Sequence, residues 1–425
     1  MVHKTNARPS LTYDLNSCIK ILSFSIKHYY RLVKKEMYHY TTKSALSELS
    51  LHSKERINRL GYWLVDDDKI FFNKIQALCY CTETKTTDIK YQVEPEKFNS
   101  ANWDIEPTQS LQELYQQRAV QLREKYDYLV LCYSSGSDSV TALNSFLQVG
   151  IRPDEVVTYV VDHPTIDKMC NANIEFYKNY DYINNLCKKH NLKLTTLNFY
   201  NNYEFYNTPN WIYQSHGIRS PHSNAQGLLA HSSYFQNKIN QGLKCALVYG
   251  LDKPNICLDE SNNFCSYLMD HPLNTYTDLK MYSEDYNGMQ IERFFVSGDL
   301  PELTIKQSHT VARHYREYAD VKNFLTFGKH YKPADYKNTC IKLLYPEFNP
   351  DDFFTIGKKF NDIKGYRDEW FWKLPSTNIW QKNVTTAWKS IEQKIDNRWF
   401  NDGLIYNDTV GCVSDFYRLG ITVSA

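Results

Sequence analysis

Neither sign of charge dominates this chain. Lys and Arg number 49 against 48 Asp and Glu over 425 residues, a formal net charge of +1. No global electrostatic attraction to nucleic acid or to an anionic membrane follows from such a balance. No apolar run approaches the roughly 20 residues of a transmembrane helix. Met1–Ser10 is polar and lacks the apolar stretch of a secretory signal, so a cytoplasmic location is expected. The 11 cysteines are scattered without a C-x-x-C pair, which reads as reduced thiols and not as a disulfide framework or a zinc site. Cys79 and Cys81 stand alone, and Cys257 and Cys265 read as packing residues. Neither the Walker pattern G-x-x-x-x-G-K-[ST] nor the dinucleotide pattern G-x-G-x-x-G occurs. Internal repeats and low-complexity tracts are missing too.

What is present is the stretch from Tyr128 to Ser139, YLVLCYSSGSDS. It reads as a buried strand ending at Tyr133, a loop of small polar residues, and a helix on which Val140, Leu143 and Leu147 share one face. Backbone N–H groups at a helix N-terminus, helped by the helix dipole, favour a bound anion, and phosphate fits best. Small residues let the backbone approach a pyrophosphate closely, and serine hydroxyls add donors. Asp138 repels phosphate, so it is best explained as a ligand to a bridging Mg²⁺. The competing reading is a plain strand-to-helix turn with Ser or Asp as the cap.

Around this loop the chain alternates strand and helix. A helix is expected from Ser110 to Lys125, with Leu111, Leu114, Tyr115, Ala119 and Leu122 on one face. Strands follow at Glu155–Asp162, Leu192–Phe199 and Cys245–Tyr249, with a further one at Ile291–Val296. Helices are expected at Cys170–His190 and Asn224–Gln241. The order predicts an α/β fold with a doubly wound, mostly parallel sheet over residues 109–300, whose ligands bind at the carboxyl ends of strands. Residues 1–108 read as an N-terminal α+β extension. It includes an aromatic, amphipathic stretch at Ile19–Tyr38, a hairpin around Asp66-Asp67-Asp68, a helix from Asn73 and a strand within Thr86–Val93. From about Pro301 strands are expected to vanish. Residues 301–425 read as a helical, aromatic-rich region (Trp370, Phe371, Trp372, Trp380, Trp388, Trp399) packed on the core. Those aromatics also suit stacking on single-stranded nucleic acid, though core packing is the commoner use.

Other candidates lie at strand ends. Asp162 is placed either to accept from a ribose or an adenine amine, or simply to cap the next turn. In Gly250-Leu251-Asp252-Lys253-Pro254, Gly250 permits close approach, Asp252 can share Mg²⁺, and Lys253 can neutralise charge on a leaving pyrophosphate. Glu302, Lys306, His309 and Arg313 share one face of a helix starting at Pro301. That cationic stripe either closes over a triphosphate or faces solvent. Arg219 and His222 are weaker phosphate candidates.

The run Ser134-Ser135-Gly136-Ser137-Asp138-Ser139 resembles the PP-loop of the ATP pyrophosphatase superfamily, S-G-G-x-D-S, with Ser135 in place of the first glycine. Serine fits there only at negative φ or under strain. With Trp103–Pro107, Gly250–Pro254 and Pro301–His309, the chain is similar over roughly residues 60–320 to asparagine-synthetase-like PP-loop proteins of tailed phages. Frequent Tyr, Asn, Lys and Ile agree with an AT-rich phage or host genome, and the location would then be host cytoplasm. Val2 stands where glutamine-dependent asparagine synthetases carry their nucleophilic cysteine, so that ammonia route is not expected. The resemblance implies a HUP/PP-loop fold, ATP and Mg²⁺ as cofactors, and cleavage of ATP between the α- and β-phosphates. AMP is placed on an oxygen of a small molecule or nucleic-acid base and pyrophosphate is released, with Asp138, Lys253 and Lys306 as the catalytic residues. An amine or sulfur nucleophile then displaces AMP. The alternative is a nucleotide-binding regulatory protein without ligase chemistry. No membrane partner is expected.

Overall fold

The computed structural model describes residues 41–42, 61–207, 211–212, 221–251, 253–269, 288–318, 320–325, 336–353, 368–396 and 413–423. Ile19–Tyr38, Arg219, Asp252 and Trp399 lie outside them.

Three sheets organise the described chain. The first is antiparallel: β1 (Thr41–Thr42), β3 (Lys69–Phe71), β2 (Tyr62–Val65) and β4 (Ile89–Gln92), in that spatial order. Its β2–β3 hairpin turns at Asp66-Asp67-Asp68, where Asp66 and Asp67 take positive φ, a conformation that Asp tolerates better than most residues. Helix α1 (Lys74–Thr84) follows, with the Asn73 side chain accepting from Gln76 N at 3.0 Å as N-cap. Two more helices, α2 (Pro95–Ser100) and α3 (Leu111–Lys125), lead into the second sheet. A capping box starts α3: Ser110 Oγ accepts from Glu113 N, and Glu113 Oε2 accepts from Ser110 N at 2.7 Å.

That second sheet has five parallel strands: β5 (Tyr128–Cys132), β6 (Glu155–Val160), β7 (Leu194–Asn198), β8 (Cys245–Tyr249) and β11 (Gln290–Arg293). Their spatial order is β11-β8-β5-β6-β7. Every residue of β5 and β8 is buried, as their near-continuous apolar runs require of strands covered on both faces. The chain winds outward from β5 through β6 to β7, then returns to the other side of β5 for β8. The direction therefore reverses between β5 and β8, an order compatible with a doubly wound fold. Helix α4 (Ser137–Gln148) joins β5 to β6, and α5 (Ile174–His190) joins β6 to β7. Between β7 and β8 lie a 3₁₀ turn (Tyr200–Asn207), α6 (Pro221–Gly227), a second 3₁₀ turn (Leu228–His231) and α7 (Ser233–Asn240). The single helix expected over Asn224–Gln241 is thus broken. Ser232 is extended in ψ, and its hydroxyl caps α7 by accepting from Tyr234 N at 3.1 Å.

The third sheet corrects the expectation that strands end near Pro301. β9 (Asn255–Leu258) and β10 (Asn263–Tyr267) form a hairpin, and β12 (Tyr417–Thr422) pairs antiparallel with β10. Helices α8 (Pro301–Arg316), α9 (Val321–Leu325), α10 (Tyr336–Leu344), α11 (Glu369–Trp372) and α12 (Ile379–Glu392) supply the rest of the C-terminal region. Pro301 occupies the first turn of α8, where its missing N–H costs nothing. Trp370 and Trp380 are buried, sharing an aromatic core with Tyr203 of the 3₁₀ turn, whereas Trp372 is exposed.

The expected apolar face of α3 contains a cation that spacing did not show. Arg118, fully buried, donates to Glu292 Oε2 and to Arg293 O, both at 3.0 Å. Lys125 and Lys97 reach Asp299 at 2.8 and 2.6 Å, and Tyr126 OH donates to Glu292. This network ties α2, α3, β11 and the turn before α8 together. Among the described residues, no helix is long and apolar enough to cross a membrane.

Candidate phosphate site at the strand reversal

The loop after β5 sits at the point where the strand order reverses. Its backbone is unusual at one position: Ser135 has φ 62, in the left-handed region. The pattern's glycine is therefore replaced by serine without a change to negative φ, and the strain is retained. Gly136 is the N-cap of α4, at φ −79, and makes no side-chain cap bond. The first N–H groups of α4 are thus not capped from this position, as an anion-binding helix terminus requires. Ser139 braces the loop instead. Its Oγ accepts from Ser134 N at 3.2 Å and donates to Gly136 O at 3.1 Å. That hydroxyl is spent within the loop, leaving Ser134, Ser135 and Ser137 as the hydroxyl-bearing candidates. Ser135, Ser137 and Ser139 are buried, and Ser134 is exposed.

Gly250, directly after β8, comes against the same loop. A Cβ there would lie 2.7 Å from Asp138 O, 2.8 Å from Asp138 C and 3.0 Å from Ser139 N. All three are backbone atoms, so only glycine lets the two strand ends approach this closely. The approach places Lys253 on Asp138, with Nζ 2.5 Å from Oδ1. Both side chains are partly accessible, at 23 and 26 % exposure. Lys253 Nζ also lies 5.2 Å from the ring centroid of Tyr345, just beyond α10. No motif marked Tyr345, because its role depends on packing far from the loop in sequence.

Beside Ser134 and Ser135 opens a small cleft, partly open to solvent. Tyr133 forms one side, Thr158 and Tyr159 of β6 another, and Ala172, Glu175, Phe176 and Ile183 of the α5 arm a third. The walls are aromatic with a few polar groups, and the space between them is smaller than a nucleoside. Burial pushes the Tyr133 phenol well above its ordinary range, so it stays neutral.

The remaining expected residues are distributed as follows. Asp162 is exposed beyond β6. Its backbone N–H donates to Asn198 Oδ1 at 3.0 Å and its carbonyl accepts from Asn198 Nδ2 at 2.7 Å, which fixes the strand end. His163 stacks on Tyr200 at 4.2 Å. His222 is buried beside Phe199 and Tyr159, in the manner of a core histidine. The cationic face of α8 meets protein: Lys306 Nζ lies 2.8 Å from Glu106 Oε1 and donates to Pro107 O at 2.9 Å. Arg313 reaches Glu106 at 2.5 Å, and His309 Nε2 lies 2.8 Å from Trp103 O. Burial holds the His309 imidazole below its usual pKa, outweighing the contact with the Trp103 carbonyl. These partners make the stripe a clamp on the 103–107 segment, and Lys306 and His309 join neither Asp138 nor Lys253.

Among the described residues, no three His, Cys, Asp or Glu side chains gather as a metal-binding group. Mg²⁺ held jointly with phosphate oxygens needs only one or two carboxylates, and Asp138 at the loop fits that donor set. No protein-family model and no curated protein matches the chain.

Proposed function

We propose that this chain is an ATP-dependent enzyme of the HUP/PP-loop type, transferring AMP to a substrate oxygen and releasing pyrophosphate. The observation that carries this reading is the contact of Gly250 with the backbone of Asp138 and Ser139 at the strand reversal. It brings a helix N-terminus without a side-chain cap, a carboxylate and a lysine to one place. In this reading the β- and γ-phosphates lie on the Ser134–Ser139 loop, and the nucleoside lies toward the adjoining cleft, which widens to admit it. Asp138, with Asp252, would hold Mg²⁺, which neutralises charge on the phosphates when bound. Lys253 releases Asp138 and turns to the pyrophosphate as negative charge builds there, an interaction that strengthens toward the transition state. Asp162 lies at the end of the strand lining the cleft and serves the ribose or the adenine amine. The acceptor is a small molecule or a nucleic-acid base, attacked afterwards by an amine or sulfur nucleophile. Lys306 and His309 brace the 103–107 segment.

Titration with ATP and Mg²⁺ tests the binding half. Gly136 has ordinary φ, and the nearest atom to an added Cβ is Ser134 Oγ at 3.5 Å, so Gly136→Val fills ligand space more than fold space. Binding is expected in the wild type and lost in the folded variant; equal affinity refutes the site. Phosphorus NMR of turnover with a cell extract tests the chemistry. AMP and pyrophosphate are expected, and ADP as the sole product refutes it. Lys253→Ala is expected to lower turnover more than ATP affinity. A second reading, a nucleotide-binding regulator, draws on Ser135 at the glycine position and on the closed Asp138–Lys253 pair. ATP binding without turnover in any extract would favour it.

A further inference from the structure

Lys253 is a flexible side chain asked to do a precise task. Its ammonium carries a charge on a four-carbon stem, and the Asp138 carboxylate alone does not determine its approach. A second group does. The face of Tyr345 lies 5.2 Å from Nζ, within the range at which a ring attracts a cation. Tyr345 itself has little freedom. It is 1 % exposed and packs against Phe295 at 5.2 Å and Tyr115 at 6.3 Å between ring centroids. Its backbone N–H donates to Ile341 O at 2.8 Å, and the preceding carbonyl, that of Leu344, accepts from Tyr115 OH at 2.8 Å. Tyr115 belongs to α3, Phe295 follows β11, and Tyr345 ends the α10 turn. Three elements of the core thus fix the ring that lies against Lys253.

We infer that Tyr345 is a positioning residue of the phosphate site, holding Lys253 Nζ beside Asp138 through its ring face. The C-terminal region would therefore supply part of the site and not only cover the sheet. This rests on the ATP reading above. In that reading the ring keeps the ammonium at the end of β8 while its partner changes from the carboxylate to a phosphate. Chemistry at the ring is not involved: the hydroxyl takes no proton and only the π face acts.

A double-mutant cycle tests this, with Mg²⁺–ATP as the titrated ligand and melting temperatures recorded for each variant. Tyr345→Phe keeps the face and is expected to bind ATP within about twofold of wild type. Tyr345→Leu is expected to weaken binding by about three- to tenfold. In a Lys253→Gln background the same Tyr345→Leu change is expected to alter affinity by less than about twofold, because its target is gone. If Tyr345→Leu unfolds the chain, Tyr345→Met takes its place in the cycle. Equal losses from the Leu or Met change in both backgrounds would mark a merely structural role and overturn the inference, as would a loss in Tyr345→Phe equal to that in Tyr345→Leu. Tight ATP binding in wild type with no effect of Tyr345→Leu overturns the positioning role alone. No ATP binding in wild type overturns the reading of the site, and this inference with it.

Discussion

Replacing Ser135 by glycine and by alanine separates the strain of the loop after β5 from everything else at that position. Both variants remove the hydroxyl and both leave Ser134 and Gly136 in place. They differ in whether a Cβ must occupy a backbone at φ 62. A left-handed residue with a Cβ costs about 1–2 kcal/mol relative to the right-handed form. Glycine escapes that cost but gives the unfolded chain more freedom, which offsets about 0.4–1 kcal/mol. The balance leaves Ser135→Gly more stable than Ser135→Ala by about 0.5–1 kcal/mol. Urea unfolding followed by tryptophan fluorescence is the assay. The two transitions should have the same slope, with the glycine variant unfolding at the higher urea concentration. Since the hydroxyl is absent from both, a lost hydrogen bond cannot explain a difference of that sign. An alanine variant as stable as the glycine variant, or more so, would refute the backbone geometry assigned to this loop.

Gly250→Ala should be far more damaging than Gly136→Ala. The first drives a methyl into the Asp138 and Ser139 backbone at 2.7–3.0 Å, an overpacking expected to cost about 1–3 kcal/mol, while the second meets only Ser134 Oγ at 3.5 Å. Thermal unfolding checks this, and similar melting temperatures for the two would contradict the close approach. Burial would raise the Asp299 carboxyl, but the charges and hydrogen bonds of Lys125 and Lys97 outweigh it and hold the group well below the carboxylate range. Its folded pKa is depressed, so the stability it contributes is present above the unfolded value of about 3.9 and is lost as pH falls. Asp299→Asn should flatten the acid limb of the stability profile below about pH 4, and an unchanged limb would argue against the network. Burial likewise lowers the His309 pKa, so this histidine folds neutral and its contribution is present above the unfolded value near 6.5 and lost as pH falls through the folded value. His309→Gln should reduce the loss of stability between about pH 7 and pH 5, measured by urea midpoints across that range.

The parts of the fold that were legible are those with local causes. The strand at 128–132 is buried on both faces and reads as an apolar run; Ser110 and Glu113 announce α3 as a capping pair; Pro301 marks the first turn of α8. The strand, loop and helix over residues 128–148 were legible because an apolar run gives way to small polar residues and then to helical spacing. What stayed hidden depends on distant partners. β10 holds Asn263, Cys265 and Ser266, a weak strand pattern, and its pairing with β12 joins residues that no local window contains. The spacing of Lys306, His309 and Arg313 correctly put them on one face, but spacing does not say what a face meets, and Glu106 and Trp103 were there. Arg118 lies among apolar neighbours on α3, and its burial makes sense only once Glu292 is known to lie opposite.

The pairing of β10 with β12 also imposes an order in time. Ribosomes deliver β10 long before β12, at roughly 5–20 residues per second, so the gap lasts on the order of ten seconds. Until Tyr417 arrives, Trp103 lacks the ring that stacks on it at 4.2 Å, Tyr91 N lacks the Val413 carbonyl it donates to, and one edge of β10 stands open. An open edge invites pairing with other strands, including those of neighbouring nascent chains. The parallel sheet and the loop after β5 draw on residues 128–293 and can assemble earlier. A newborn chain therefore passes through a stage in which its parallel sheet is formed while Trp103 still lacks its stacking partner and β10 its second neighbour. Crowded synthesis should be most hazardous to it then.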